Sequence, residues 1–190
     1  MDFVTKEASE AFAVNTITVN QDGLLSGDLT DGLGAVALLE NESGSLNGKR
    51  IVILGNGGTA AAVTQALVQA GARVTVLGRD QNKATLLADK FRVDSGHLHD
   101  LAAIEFDVLI NTTPVGSLDS LATLVEDKSL LKGKIVLDVV LDHETRLTRD
   151  TRQAGGLAFS GRKLWAEQGR LQLVRWFDLD LAAELLEIDP

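Results

Sequence analysis

The chain has 190 residues, 45% hydrophobic and 24% charged, with 27 acidic against 18 basic side chains and a net charge of −9. That balance describes one globular domain able to bury about 70% of its unfolded surface, and it excludes a disordered chain. The lack of cysteine excludes disulfides, thiolate metal sites and cysteine nucleophiles, while the acidic balance with scattered basic residues argues against nucleic acid and membrane partners.

No apolar run reaches the roughly 20 residues of a membrane span, and the opening MDFVTKEASEAF lacks the pattern of a signal peptide, so a soluble cytoplasmic protein is expected. Two short apolar runs around Asn20-Gln21-Asp22-Gly23 predict a hairpin. Residues 30–42 read as a helix capped by Thr30 or Asp31, with Leu33, Val36, Ala37 and Leu38 near one face. From Arg50 strands and helices alternate. Strands are predicted at 51–54, 73–77, 107–111, 134–140 and 157–160, and helices at 59–71, 81–91, 144–155 and, in part, 121–131. Two more helices, 161–177 and 178–188, close the chain. The continuous apolar run at 51–54 suits a strand buried on both faces. The alternation predicts an α/β fold: a doubly wound, Rossmann-type parallel sheet with helices on both faces.

Gly55-Asn56-Gly57-Gly58-Thr59-Ala60 lies between the first of these strands and its helix, the setting that a dinucleotide fingerprint requires. Gly55 permits the tight turn, Gly57 lets backbone amides approach a pyrophosphate, and the helix start supplies free N–H groups. Ala60, in place of a third glycine, is small enough to pack on the sheet. The second strand ends in Gly78-Arg79-Asp80. Arg79, with Lys83 one helical turn on, suits a 2′-phosphate and favours NADP(H), whereas the Asp80 carboxylate argues for NAD. Asn111-Thr112-Thr113-Pro114-Val115-Gly116 follows the third strand, at the end of the sheet where ligands bind in such folds.

Several segments together resemble the shikimate dehydrogenase family, including its quinate/shikimate relatives. Ala13-Val14-Asn15-Thr16-Ile17 is similar to its G-A-V-N-T segment, and Asp28-Leu29-Thr30-Asp31-Gly32-Leu33-Gly34 to its N-T-D-G-x-G segment. Gly55 to Ala60 resembles its glycine loop, Arg79 its N-R-T arginine, Asn111 to Gly116 its N-x-T-P-x-G, and Asp138-Val139-Val140 its D-x-x-Y strand. Gly161 to Gln168 is similar to G-x-x-M-L-x-x-Q. The resemblance implies NADPH-dependent reduction of 3-dehydroshikimate to shikimate in aromatic amino-acid biosynthesis. It assigns Asp31 to a catalytic lysine–aspartate pair, Asn15 and Gln168 to substrate hydroxyls, and Gly161 and Leu164 to the nicotinamide end of the cofactor site. An ionised Asp31 is expected from its place at a helix start.

The family's lysine motif has no counterpart, and Lys6 reads as a surface residue on a helix running up to the asparagine segment. Leu29, Leu141 and Leu164 replace the family's asparagine, tyrosine and methionine. The chain is therefore expected to be a single NADP-binding domain over 1–190, either a natural short form or an excised piece. Residues 1–30 would be the remnant of a junction with a missing substrate-binding domain, and 160–190 the terminal helices. It is expected to be inactive alone. The alternative is a non-catalytic NADP(H)-binding module that regulates or docks on a partner. Other NADP-linked enzymes with such a domain fit Asn15, Asp31 and Gln168 less well. His97 and His99 read as solvated loop residues rather than zinc ligands, and His143 as a bystander beside Asp142 and Glu144. The apolar face of 178–188 leaves room for a homodimer contact.

Overall fold

The computed structural model describes residues 1–141 and 143–177, so Asp142 and the helix read over 178–188 lie outside the described residues. In chain order the elements are β1 (Phe3–Val4), α1 (Lys6–Ala11), β2 (Thr16–Val19), β3 (Leu25–Asp28), α2 (Asp31–Ser43), β4 (Arg50–Leu54), α3 (Gly58–Gln69) and β5 (Arg73–Gly78). They continue with α4 (Gln81–Phe91), β6 (Asp94–His97), β7 (Val108–Asn111), β8 (Ile135–Asp138), α5 (Arg146–Gln153), β9 (Leu157–Phe159) and α6 (Gly161–Phe177).

Strands β4 to β9 form one parallel sheet in the order β6-β5-β4-β7-β8-β9. This is the doubly wound arrangement that the alternation predicted, and its strand order reverses between β4 and β7. The pleat divides β4 between two cores. Ile51 and Ile53 pack with α2, α3 and α6 residues such as Leu39, Val63 and Leu164, while Val52 and Leu54 pack with Leu101, Phe106 and Leu147 on the other face. Each such fully buried aliphatic side chain contributes about 2 kcal/mol of transfer free energy. Helix α3 is buried nearly all round because α1 and α2 cover the side that turns away from the sheet.

The predicted hairpin is present as β2 and β3. Asn20 Oδ1 accepts from the backbone N–H of Asp22 and Leu24 in the turn, and β1 adds to β3 in parallel to make a separate three-stranded sheet. Helix α1 stands where the asparagine segment needed one, with Thr5 as its N-cap. The C-terminal half of α6 returns to this sheet. Gln172 Nε2 donates to the Asn15 carbonyl at 3.3 Å, Trp176 Nε1 to the Ile17 carbonyl at 3.1 Å, and Arg175 Nε to Asp28 Oδ2 at 2.5 Å. Among the described residues no helix is long and apolar enough to cross a membrane.

Three local features complete or correct the sequence expectations. Strand β6, Asp94-Ser95-Gly96-His97, was not anticipated. It is an edge strand that pairs with β5 through its backbone and is flanked by α4, where the Thr85 and Ser95 hydroxyls lie 3.3 Å apart, so its polar sequence carries no apolar alternation. The partial helix expected over 121–131 is the 3-10 turn Lys128–Leu131. The buried residues of α2 are Gly32, Gly34, Ala35, Leu38 and Leu39, so of the expected face Leu33, Val36, Ala37 and Leu38 only Leu38 is fully buried. The helix is wedged between α3 and α6 and needs two inward faces.

Candidate functional site

The reversal of strand order opens a cleft of about 770 Å3 beyond the ends of β4, β5 and β7. Gly55, Asn56, Gly57, Arg79, Asp80, Lys83, Leu98, Thr112, Thr113, Pro114, Val115 and Leu124 line it. Gly55 has φ +117, and an added Cβ would lie 2.5 Å from Thr112 Oγ1, so both conformation and space require glycine there. Thr112 is held in turn, since its hydroxyl donates to the Leu54 carbonyl at 2.8 Å. Gly57 is the N-cap of α3, and no side chain among the described residues bonds to the helix start. At Gly57 and Gly58 an added Cβ would meet open space. Uncapped N–H groups beside unfilled space are what a pyrophosphate cradle needs. Thr59 follows in the first turn, and Ala60 is buried against the sheet.

At the end of β5, Arg79 is exposed and, among the described residues, free of any hydrogen bond or ion pair. Asp80 is committed elsewhere. It is the N-cap of α4, its Oδ1 accepting from Lys83 N at 3.2 Å, and its Oδ2 lies 4.0 Å from Lys83 Nζ. The carboxylate that argued for NAD thus serves its own helix. His97 and His99 stack with ring centroids 3.6 Å apart, and His97 Nδ1 accepts from His99 N in the turn that carries Leu98 to the cleft. His143 bonds through Nε2 to the Gly116 carbonyl at 2.7 Å.

The second group of sequence-read residues meets at the start of α2. Asn15 Nδ2 donates to Asp31 Oδ1 at 2.7 Å and lies 3.4 Å from Gln168 Oε1. Asn15 Oδ1 accepts from Thr30 N at 3.0 Å and from Thr16 Oγ1 at 2.8 Å. Thr30 sits at the N-cap but does not cap with its side chain, because its hydroxyl is engaged by Asn15 and Gln168. Burial pushes the Asp31 carboxyl above the usual carboxylate range, against the pull of the Asn15 amide. Burial thus works against the helix start, whose dipole favours the ionised form. Among the described residues no lysine contacts Asp31.

Two residues that sequence reading left without a role bring these parts together. An added Cβ at Gly32 would strike the Ala62 carbonyl, and one at Gly34 would stand 2.9 Å from Gln168 N. Gly32 thus lets Asp31 settle on α3 about one turn in from the cleft, and Gly34 lets Gln168 close on Asn15. Their spacing within a helix, where glycine is unfavourable by about 1 kcal/mol, was the signal. Gly161 and Leu164 do not line the cleft. Gly161 packs on the Val139 and Val140 carbonyls, and Leu164 is 7% exposed within the core.

A family model described as "Shikimate / quinate 5-dehydrogenase" matches residues 37–132. A shikimate dehydrogenase (NADP(+)) of Methanothrix thermoacetophila is 31% identical over 185 residues, covering 95% of this chain and 68% of that relative. The structure of shikimate 5-dehydrogenase from Thermus thermophilus, in complex with NADP(H) and shikimate, superposes with a TM-score of 0.87 at 31% identity, over 98% of this chain and 70% of that one. The ligand-free 5-ketofructose reductase of a Gluconobacter strain also reaches 0.87, at 28% identity over 98% and 70% of the two chains. With the glycine cradle, the β5 end and the Asn15–Asp31–Gln168 cluster all set on a shared fold, the chain belongs to the shikimate/quinate dehydrogenase family.

Proposed function

We propose that the cleft binds NADP(H), and that the chain is the dinucleotide-binding part of an oxidoreductase that interconverts 3-dehydroshikimate and shikimate. The observation that carries this reading is the unfilled space at Gly57 and Gly58, before an uncapped helix and across from a free Arg79. Backbone amides of Gly57, Gly58 and Thr59 would hold the pyrophosphate. Arg79 and Lys83 would meet the 2′-phosphate, and Thr112, Thr113 and Val115 would border the nicotinamide half. NADPH, when bound, supplies the hydride.

Asn15 and Gln168 would hydrogen-bond substrate hydroxyls. Asp31 would be the carboxylate member of a proton-transfer pair serving the oxygen on which alkoxide charge develops. With no lysine at Asp31 among the described residues, these 190 residues are expected to turn over negligibly by themselves. Residues 1–30, with their separate small sheet, serve in this reading as a junction toward a substrate-binding domain. The same missing lysine favours the second reading, a non-catalytic NADP(H)-binding module.

The test is calorimetric titration of the chain with NADPH and with NADH, alongside an assay of shikimate oxidation with NADP+. Saturable binding that prefers NADPH, without turnover, is expected. No binding of either nucleotide, or a preference for NADH, would overturn the cofactor assignment. Turnover would overturn the expected inactivity and with it the second reading.

A further inference from the structure

At the ends of β7 and β8 a buried carboxylate faces a buried amide. Asp138 is 0% exposed and Asn111 is 2% exposed. Asn111 Nδ2 donates to Asp138 Oδ1 at 2.9 Å and to the Val115 carbonyl at 3.3 Å. Asn111 Oδ1 accepts from Thr113 N at 3.1 Å and from the Thr113 hydroxyl at 2.7 Å. The Thr113 hydroxyl accepts in turn from Val115 N at 3.2 Å. All four hydrogen-bonding positions of the Asn111 amide are therefore used.

Asp138 gathers two further donors from its own side. Val140 N reaches Oδ1 at 3.2 Å, and the Thr145 hydroxyl, at the N-cap of α5, reaches Oδ2 at 2.6 Å. Burial pushes the Asp138 carboxyl up, while Thr145, Val140, Asn111 and the nearby His143 pull against it. Asp138 Oδ1 accepts from both Asn111 and Val140 N, so it fixes which end of the amide turns toward it. Asn111 must present its NH2 to Asp138, and its carbonyl oxygen is then left to hold Thr113. None of these contacts is made by a residue with a role in the reading above except Thr113 and Val115, which border the cleft.

We infer that Asp138 is a positioning residue, which acts through Asn111 to set the conformation of the Thr113–Val115 stretch of the cleft. Only the consequence for binding rests on the NADP(H) reading; the loop conformation does not.

The experiment is hydrogen–deuterium exchange of the whole chain read by mass spectrometry, with NADP+ titration in parallel. Asn111→Asp sets a second carboxylate against the first, and Asp138→Leu removes the acceptor. Thr113→Val cuts the loop's hydroxyl bond without touching either strand. Asp138→Asn keeps an oxygen for Asn111 and Val140 and offers its NH2 to the Thr145 hydroxyl. Exchange over 112–116 should quicken about tenfold in the first three variants, and NADP+ affinity should fall by about the same factor, as expected for one lost buried hydrogen bond. Exchange over 51–54 should stay slow, and Asp138→Asn should remain within about threefold of wild type. Exchange and affinity unchanged by Thr113→Val and Asp138→Leu would overturn the inference, as would Asp138→Asn proving as damaging as Asp138→Leu. Should the two buried variants fail to fold, Thr113→Val and Asp138→Asn decide it. Absence of NADP+ binding by the wild type would sink the cofactor reading, while the exchange data would still judge the loop.

Discussion

The side-chain amide of Asn56 donates to the Asp80 carbonyl at 2.9 Å, tying the turn after β4 to the end of β5. Gly78 makes room for it, since an added Cβ there would lie 2.5 Å from Asn56 Nδ2. The Asn56 side chain thus ties the glycine loop to the Arg79 turn, beside the backbone bond from Gly55 N to the Leu77 carbonyl at 2.8 Å. Asn56→Ala should weaken NADP(H) binding about five- to tenfold, the worth of one modest hydrogen bond. Gly78→Ala should displace the Asn56 side chain and do the same. The double variant should be no worse than either single, because both remove one interaction. Additive losses in a calorimetric double-mutant cycle would contradict this coupling.

Arg79 and Asp80 differ in what they are free to do. Asp80 is occupied as a helix cap, whereas Arg79 has no partner among the described residues. Arg79→Gln should lower affinity for NADP+ about tenfold or more and leave NAD+ nearly unchanged, since only the 2′-phosphate distinguishes the two ligands. An equal loss for both nucleotides would mean that Arg79 serves adenine or the turn rather than the phosphate.

Gly55 and Gly57 should separate folding from binding. Gly55→Ala places a side chain at φ +117 and against Thr112, so it should cost about 1–3 kcal/mol of stability in denaturant melts. Gly57→Val enters open space and should cost no more than about 1 kcal/mol, the loss from a poorer N-cap residue. That same side chain would fill the cradle, and nucleotide binding should be lost. A Gly57→Val chain that binds NADPH like the wild type would remove the cradle from the site.

The parallel sheet was legible because each central strand is an apolar run between helical patterns, and the glycine turn was legible because its context is local. What the sequence hid is non-local. The polar edge strand β6 depends on its pairing with β5 and on the α4 flank. The inward faces of α2 depend on two neighbouring helices, so helical periodicity pointed to one face where two exist. Asn111 could be read as a turn residue, but its partner Asp138 lies 27 residues away. Asn15, Asp31 and Gln168 were reached through family resemblance, because no spacing rule joins three residues from a loop, a helix start and a terminal helix. Gly32 and Gly34 carried a readable signal, two helix-weakening residues in one turn, whose meaning needed α3 and α6.

Asp31 offers a test of whether that cluster is built for function at a cost in stability. Burial raises its carboxyl above the unfolded value, so the folded chain holds this proton more tightly than the unfolded chain does. Stability is then lost as pH rises from the unfolded value through the raised folded value. Asp31→Asn keeps an oxygen that can accept from Asn15 Nδ2 and carries no charge to bury. Its melting temperature at pH 7 should exceed that of the wild type by up to a few degrees. The difference should close as pH falls below about 4, where Asp31 is protonated in both states. Scanning calorimetry at pH 7 and near pH 4 reads both numbers. A variant less stable than wild type at pH 7 would show that the ionised carboxylate is a structural tie of the Asn15 cluster, not a group held there at a cost for the chemistry of a substrate.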